Sequence, residues 1–457
     1  MAILEKPSWT DRYGVVLIGF LAAQAIGGKG FAYLGIPPLY VTELVLAAGL
    51  VVMLQTRCVL TSLLTVPSLC LAALILLAIA RTVPFVSTYG VDALRDSVLV
   101  LYALFSFIVA TLLLQRPDRL ISVVAFLRWF TGLFVYVGPA VFLFSAFILP
   151  QLPSFLIASP GLPTIRAGEL GVHLAGCALL ALLGLRQVRP LWLCALLLGI
   201  LTVTSQNRGG MLAIAVPVAL ALPFSKAWPR VVALGMVGVV LLGLAYAANL
   251  EVPPMTGSEE HFAGERRLGA RQAVDNVLSL VVPTNDTQLD DTKMFREMWW
   301  RKIYTYTVDG PYFWTGKGFG VNLAEDDGFV VGDRNGPPLR SPHNSHMNIL
   351  ARTGVPGFVL WISFLVTWFG TMMSWVMRAR RLGDTEWGNL MLFVACYWLA
   401  NVINASFDVA LEGPMLATWF WCQTGVGLGV VAIYRAGAAS PRIRRHAIRN
   451  RASTATA

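Results

Sequence analysis

The sequence has few charged residues for its length. Of its 457 residues, 13% are charged and 56% are hydrophobic, whereas a soluble globular domain has about 25% charged and about 45–50% apolar residues. The mean hydropathy is +0.66. A protein of this composition would expose too much apolar surface to water, so an ordinary soluble enzyme is excluded. The composition predicts an all-α integral membrane protein that crosses the bilayer several times.

Cysteines and histidines are also scarce. The six cysteines lie in or beside apolar segments and show no CxxC spacing, so neither a disulfide framework nor a cysteine metal cluster is indicated. Of five histidines, His343 and His346 are three residues apart, but no HExxH motif or nearby carboxylate triad completes a metal site. We therefore expect no metal and no cofactor.

The net charge of +10 does not indicate a nucleic-acid partner. The basic residues stand between apolar segments, and no basic stretch is interleaved with exposed aromatic residues. The N-terminal residues 1–11 lack a small-residue cleavage site, and the first apolar run leads into others. We therefore expect a retained first span rather than a removable signal peptide.

Apolar runs of about 20 residues mark the expected membrane spans. Twelve runs meet or approach this length, nine of them within residues 1–249 and three within residues 343–435. The expected spans are residues 13–29, 38–54, 59–80, 97–115, 121–149, 168–185, 190–205, 209–223, 230–249, 355–377, 387–405 and 413–434.

Lysine and arginine accumulate in cytoplasmic loops, and this rule orients the chain. With both termini inside, 19 of the 35 basic residues face the cytoplasm, six lie in short outer loops and ten lie in one long loop. Long loops cross the membrane largely regardless of their charge. We expect a multi-pass membrane protein with its C-terminal tail, residues 436–457, disordered in the cytoplasm beside anionic headgroups.

The long polar segment, residues 250–342, is predicted to be a structured domain outside the membrane. Its stretch 251–340 carries ten basic and fourteen acidic residues, and seven aromatic residues lie between positions 299 and 314. The stretch from Thr292 to Val308 predicts a helix, and Gly310-Pro311 predicts the turn that follows.

Three arginines, Arg95, Arg166 and Arg208, lie near span ends on the predicted outer side. Arg208 is followed by Gly209-Gly210 at a helix start, where backbone N–H groups and the positive helix end favour an anion such as a phosphate. The alternative is that each arginine extends to the interface or pairs with a neighbouring carboxylate.

His343 follows the long loop at the start of the tenth span. An imidazole accepts a proton near neutral pH, so a general base is one interpretation. The alternative is that His343 only caps the helix that begins near Asn344.

His343-Asn344, nine further residues and then Gly354-Val355-Pro356-Gly357 form the pattern His-Asn-x9-Gly-x-x-Gly. In this motif the sequence resembles the O-antigen ligase and O-antigen polymerase superfamily of membrane glycosyltransferases, which implies a location in the bacterial inner membrane. Arg296 and Trp300 are similar to its Arg-x-x-x-Trp segment. Ser-Gln-Asn-Arg208-Gly-Gly is similar to its Ser-Arg-Gly element with two inserted residues, and Arg166 belongs to a weaker Arg-x-x-Gly match in which the glycine comes one residue early.

The resemblance implies a helical fold of the GT-C type and a metal-independent, inverting transfer of glycan from undecaprenyl diphosphate on the periplasmic face. It implies that His343 is the catalytic group. The diphosphate would be bound by arginines, for which the candidates are Arg208, Arg296 and Arg166. Asn344, Asp408 and Arg95 are candidates for supporting roles, although Arg95 matches no family motif.

The acceptor stays open at this stage. A ligase transfers glycan to a lipid A core sugar, a polymerase to the next lipid-linked repeat unit, and related proteins to protein side chains. The large aromatic outer loop favours a polymerase slightly without separating the three. A transporter or flippase of glycans or small anions is the alternative class, but it predicts a repeat and broken helices near the midplane of both halves, and the sequence shows no repeat.

Overall fold

A computed structural model describes residues 8–36, 39–152, 162–249, 251–252, 268–278, 287–329 and 339–437. Helices make up 80% of the structure, so the predicted all-α class is confirmed. The short strands β1 (Gly35–Ile36) and β2 (Leu39–Tyr40) form one antiparallel pair, and β3 (Glu251–Val252) and β4 (Leu268–Gly269) form another.

The N-terminal half is a bundle of apolar helices. They are α1 (Trp9–Ala32), α2 (Val41–Gln55), α3 (Val59–Leu63), α4 (Val66–Tyr89), α5 (Val91–Leu101), α6 (Leu104–Gln115), α7 (Arg119–Leu143), α8 (Ala167–Leu182), α9 (Pro190–Gln206), α10 (Arg208–Ala221) and α11 (Trp228–Ala247). A π-helical turn, Phe144–Ile148, continues α7, and short 3-10 turns follow α7 and α10.

Polar helices and then three long apolar helices complete the chain. They are α12 (Ala270–Leu278), α13 (Thr287–Thr307), α14 (Leu323–Asp327), α15 (Ser345–Arg381), α16 (Thr385–Ala405) and α17 (Pro414–Arg435). The predicted loop helix is confirmed as α13. Pro253-Pro254, at the start of the long loop, lies outside the described residues, as does nearly all of the C-terminal tail.

Six helices of the described chain are long and apolar enough to cross a membrane, and the bent pair α5 and α6 raises the number to seven. Five shorter apolar helices, of 10–17 residues, lie among them. The chain is therefore a multi-pass membrane protein by helix length and composition. The count of twelve spans and the division into domains stay predictions.

Two predicted boundaries are wrong. The expected span 59–80 is two helices, because the Thr65 side chain accepts the Ser68 N–H and caps a new helix with Pro67 in its first turn. The expected loop 81–96 is almost entirely helical, since α4 runs to Tyr89 and α5 begins at Val91. The span expected at 355–377 begins directly after the break of α15 at Gly354, and the part of α15 before that break reaches back to Ser345. Counting apolar residues misses these points because polar residues continue a helix wherever their side chains find partners.

The bundle has two ends that differ in their polar contacts. At one end, Asp11 at the start of α1 binds Arg116 after α6 at 2.7 Å, and Asp384 before α16 accepts a hydrogen bond from Tyr434 at 2.7 Å. At the other end, the N-termini of α8, α10, α15 and α17 meet the C-termini of α9 and α16. That second end carries the polar residues of interest.

The described part of the long loop packs against the start of α15. Trp299 and Ile303 of α13 form a small core with α14 and with Leu350 of α15. The Trp299 Nε1 donates to Asp327 Oδ2 at 2.8 Å. This contact fixes α13 beside the residues that precede α15.

Candidate active site

The backbone of His343 has an unusual conformation. Its φ is +52°, in the left-handed region that non-glycine residues rarely adopt and that persists where the surroundings enforce it. Trp300 donates its Nε1–H to the carbonyl oxygen of Pro342 at 2.9 Å. The Asn344 side chain accepts the N–H groups of His346 and Met347 at 2.9 and 3.1 Å. His343 is thus fixed from both sides, and Asn344, not His343, caps the helix.

The ring of His343 faces a mixed set of charges. Burial is the main cause that lowers its pKa from 6.5 to about 4, the positive charges of Arg296 and Arg166 contribute to this shift, and Asp408 partly opposes it. His343 is therefore neutral at physiological pH, the form that accepts a proton.

The structure brings the predicted arginines together around Asp408. Arg166 Nη1 lies 3.6 Å from Asp408 Oδ1, and Arg296 Nη1 donates to the Phe407 carbonyl at 3.1 Å. Burial lowers the pKa of Arg296, Asp408 opposes this shift, and the charge of Arg208 adds to it. Arg166, Arg208 and Arg296 therefore lie close enough for their charges to act on one small region beside His343.

Arg166 itself remains firmly charged. Burial alone would lower its pKa, but the carboxylates of Asp408 and Glu169 outweigh that effect and raise it. Its side chain is 45% exposed, so it reaches the open side of the cluster. An anion that enters from this side meets a positively charged group first.

Glycines permit the close approach of the helices that carry these residues. A Cβ on Gly168 would lie 2.5 Å from Asn404 Oδ1 and 3.0 Å from Asp408 Oδ2, and one on Gly171 would lie 2.9 Å from the Gly210 carbonyl oxygen. The glycine of the Arg-x-x-Gly match is thus a packing residue. It lets α8 place Arg166 against Asp408.

The helix start after Arg208 is partly occupied. The Asn207 side chain caps α10 by accepting the Gly210 N–H at 3.0 Å, and a Cβ on Gly209 would meet Phe407 Cβ at 2.6 Å. The two glycines therefore bring Arg208 against the segment before Asp408. The Asn207 cap occupies one of the N–H groups at this helix start, and the anion site expected there stays a prediction.

The first glycine of the His-Asn-x9-Gly-x-x-Gly motif, Gly354, breaks α15. Gly354 has φ +69°, and its Cβ position is 2.4 Å from the Phe313 carbonyl oxygen. The Val355 N–H donates to that same oxygen at 2.8 Å. Gly316, at φ +59°, packs against the carbonyl group of Arg352. The Gly-rich turn after α13 therefore docks into the break of α15, as a structural turn.

His346 is engaged in the packing of the helices. Trp361 donates its Nε1–H to His346 Nδ1 at 2.9 Å, so His346 Nε2 carries the proton that reaches the Val402 carbonyl at 3.2 Å. Both ring nitrogens have partners, and His346 does not share the surroundings of His343. The two histidines thus differ in role although they are three residues apart.

Glu412 is a residue that the sequence analysis missed. Its carboxylate accepts hydrogen bonds from Ser345 Oγ at 2.7 Å and Asn348 Nδ2 at 3.0 Å. Burial raises its pKa, and these hydrogen bonds partly offset the rise. Asn348 in turn accepts from the buried Arg352 at 2.9 Å. The one signal in the sequence that could have identified Glu412 is its position as an isolated glutamate between the last two spans.

Arg95 lies beside the cluster and not within it. Arg95 pairs with Asp92 at 3.2 Å and with Asp96 at 3.6 Å. The positive charges of Arg95 and Arg166 both act on Tyr33. Asp96 further binds Arg352 at 3.0 Å. The predicted pairing of Arg95 with neighbouring carboxylates is confirmed.

Comparison with known protein families gives one finding. A family model described as O-Antigen ligase matches residues 193–362, a range that contains Arg208, Arg296, His343 and the glycine motif. No curated protein matches the chain. The match confirms the resemblance that the motifs indicate. This membrane protein is therefore similar, over residues 193–362, to the O-antigen ligase family.

Proposed function

We propose that this protein is a metal-independent, inverting glycosyltransferase. It takes an oligosaccharide or polysaccharide from undecaprenyl diphosphate and transfers it to a sugar hydroxyl on the periplasmic face of the inner membrane. One observation carries the proposal. The neutral His343 shares one end of the bundle with Arg166, Arg208 and Arg296.

The arginines suit a diphosphate. A planar guanidinium forms paired, charge-assisted hydrogen bonds with phosphate oxygens and keeps its charge in a site of low dielectric constant. Negative charge develops on the diphosphate as it leaves, and fixed positive groups stabilise that charge in the transition state. Arg296 is oriented for this task by its bond to Phe407.

His343 supplies the proton acceptor. As the acceptor oxygen attacks the anomeric carbon, its proton passes to the imidazole, and the bond between that carbon and the diphosphate oxygen breaks with its electron pair on the diphosphate. Undecaprenyl diphosphate is the leaving group. A single displacement of this kind inverts the anomeric centre.

The acceptor is proposed to be a growing glycan or a lipid A core sugar. Exposed aromatic side chains of the outer segment support a polymerase, because Tyr304 is 50% exposed and Trp314 is 74% exposed. Aromatic faces pack well against the apolar faces of sugar rings. Protein glycosylation uses the same chemistry with a different acceptor.

The purified protein, supplied with undecaprenyl-diphosphate glycan and acceptor, tests the proposal. We expect longer or transferred glycan and an equal amount of released undecaprenyl diphosphate. The same protein in sealed liposomes, supplied with donor alone, tests the transporter alternative. Movement of intact donor across the bilayer, with no released diphosphate in either assay, would overturn the proposal.

A further inference from the structure

A cavity lies at the end of the bundle opposite to the end that carries His343. It has a volume of about 440 Å³ and opens between α1, α6 and α7 on one side and α16 and α17 on the other. None of the candidate active-site residues lines it. Its walls are mainly aliphatic and aromatic, and they include Leu17, Ile18, Leu21, Val109, Phe126 and Phe393.

The mouth of this cavity carries balanced charges. Asp11, Arg116, Asp118 and Arg119 line it. Asp11 binds Arg116 at 2.7 Å and Arg119 at 2.8 Å, and the Arg116 side chain is half exposed. A molecule that enters the cavity therefore passes two positive and two negative side chains, whose charges balance. This arrangement matches a headgroup that carries both signs.

The depth of the cavity matches one leaflet of a bilayer. Trp419 lines the cavity and donates its Nε1–H to the Leu21 carbonyl at 3.0 Å, which marks the inner end. Ten residues of α1 separate Leu21 from Asp11, a rise of about 15 Å at 1.5 Å per residue. The hydrocarbon core of a bilayer is about 30 Å thick, so the apolar part spans about half of it.

One polar side chain in the wall has an unsatisfied donor. Gln423 is 8% exposed and lines the cavity. Its Oε1 accepts a hydrogen bond from Asn401 at 3.0 Å, but its Nε2 has no partner among the described residues. Gln423 lies one helical turn from Trp419 towards the mouth, about level with Leu17. A buried N–H group without an acceptor is costly, so an acceptor is expected there.

We propose that this cavity binds one glycerophospholipid with a zwitterionic headgroup. The order of groups along the cavity is balanced charges, then a hydrogen-bond donor, then a long apolar wall. A phospholipid presents its parts in the same order: phosphate and ammonium, then ester carbonyl, then acyl chain. A polyprenyl phosphate has no ester carbonyl to accept the Gln423 N–H, and its net negative charge does not match a mouth in which two positive and two negative groups balance.

Native mass spectrometry of the protein purified in mild detergent tests this site, with phosphatidylethanolamine and phosphatidylglycerol as the added probes. We expect one retained phosphatidylethanolamine per chain. Ile18→Trp fills the cavity, whereas Val16→Trp places the same ring on the exposed side of α1, away from the cavity. We expect occupancy to fall about tenfold or more in Ile18→Trp, a change equivalent to 1.4 kcal/mol, and to stay unchanged in Val16→Trp.

Gln423→Leu gives an independent measure, because it keeps about the same side-chain volume and removes the N–H donor, while Asn401, which loses Gln423 Oε1 as an acceptor, still donates to the Tyr397 carbonyl. We expect several-fold weaker retention of phosphatidylethanolamine with glycan transfer unchanged. Equal retention by Ile18→Trp and Val16→Trp would overturn the site. Retention of phosphatidylglycerol, polyprenyl phosphate or detergent in place of phosphatidylethanolamine would overturn the identity of the lipid.

Discussion

Trp300 donates a hydrogen bond to the carbonyl oxygen of Pro342 at 2.9 Å, and this single contact holds the residue that precedes His343. Arg296 lies one turn earlier on the same helix and donates to the Phe407 carbonyl at 3.1 Å. One face of α13 therefore fixes both the proposed base and the segment that leads to Asp408. The spacing of the Arg-x-x-x-Trp segment has a physical reason, since residues four apart share a helix face.

Trp300→Phe should lower the turnover number while the protein stays folded. The change keeps an aromatic ring but removes the N–H that fixes Pro342, so the ring of His343 loses its fixed position. We expect a loss of about tenfold or more in transfer rate, because small displacements at a reacting centre are costly. Trp129→Phe, on the exposed face of α7, is the control. Equal rates in the two variants would contradict the positioning role.

His343→Asn should abolish transfer and preserve donor binding. Asparagine tolerates the positive φ of this position better than alanine does, so the backbone is kept while the base is lost. His343→Ala should have the same effect on the rate. His346→Ala should keep most activity per folded protein, although it leaves the Trp361 N–H unpaired at a cost of about 1–3 kcal/mol in unfolding free energy. Loss of transfer in His346→Ala alone would reverse the assignment.

The transfer rate should depend on pH through His343. Its pKa in the folded protein is about 4, below the ordinary 6.5, so the rate should stay level as pH falls through 6.5 and decline only near 4. The unfolded chain binds the proton first, so stability decreases from pH 6.5 down to about 4 and then levels off. A rate profile with its midpoint near 6.5 would contradict a buried, neutral base.

Arg208→Ala and Arg296→Ala should each reduce transfer by about 10²–10³-fold, the usual effect of losing one charge-stabilising donor. Lysine should restore little, because it lacks the planar fork that binds two phosphate oxygens. Arg301→Ala, an exposed position on the same helix as Arg296, controls for a general loss of positive charge. Full activity in either lysine variant would show that only the charge matters.

Glu412→Ala should destabilise the outer end of α15. Ser345 and Asn348 would lose their acceptor, at a cost of about 1–3 kcal/mol for each unsatisfied buried group. Glu412→Gln keeps one acceptor oxygen and should lose less. Thermal unfolding of the two variants in the same detergent measures the difference. An unchanged melting temperature in Glu412→Ala would show that this network does not hold the helix start.

Reporter fusions should place the two ends of the bundle on opposite sides of the membrane. Fusions at Arg189 and Arg380 should report the cytoplasm, and one at Trp314 should report the periplasm, because 19 basic residues lie on the first side and six in short loops on the second. A cytoplasmic result at Trp314 would invert the orientation and move the proposed site away from a periplasmic donor.

Much of the architecture was predictable from the sequence. Runs of apolar residues predict helices wherever the chain crosses lipid, since backbone groups there must be paired within the segment. The helix α13 was predicted in the loop, and Arg166, Arg208, Arg296 and His343 were predicted on one side. The helical stretch 81–96 was not predicted. Its Arg81 donates a hydrogen bond to the Gly316 carbonyl, which is distant in the sequence, and hydropathy along the chain gives no information on such a partner.

By itself the sequence determined the environment of this protein and the residue types available for its chemistry, because hydropathy and the placement of arginine depend on local composition. Only the tertiary structure decided which groups meet. The pairing of Arg166 with Asp408 spans 242 positions, and Glu412 reaches Ser345 across 67. Contacts of this range depend on how helices pack, and the glycines that permit the packing act through the absence of a side chain. The difference between His343 and His346 likewise comes from their neighbours in space.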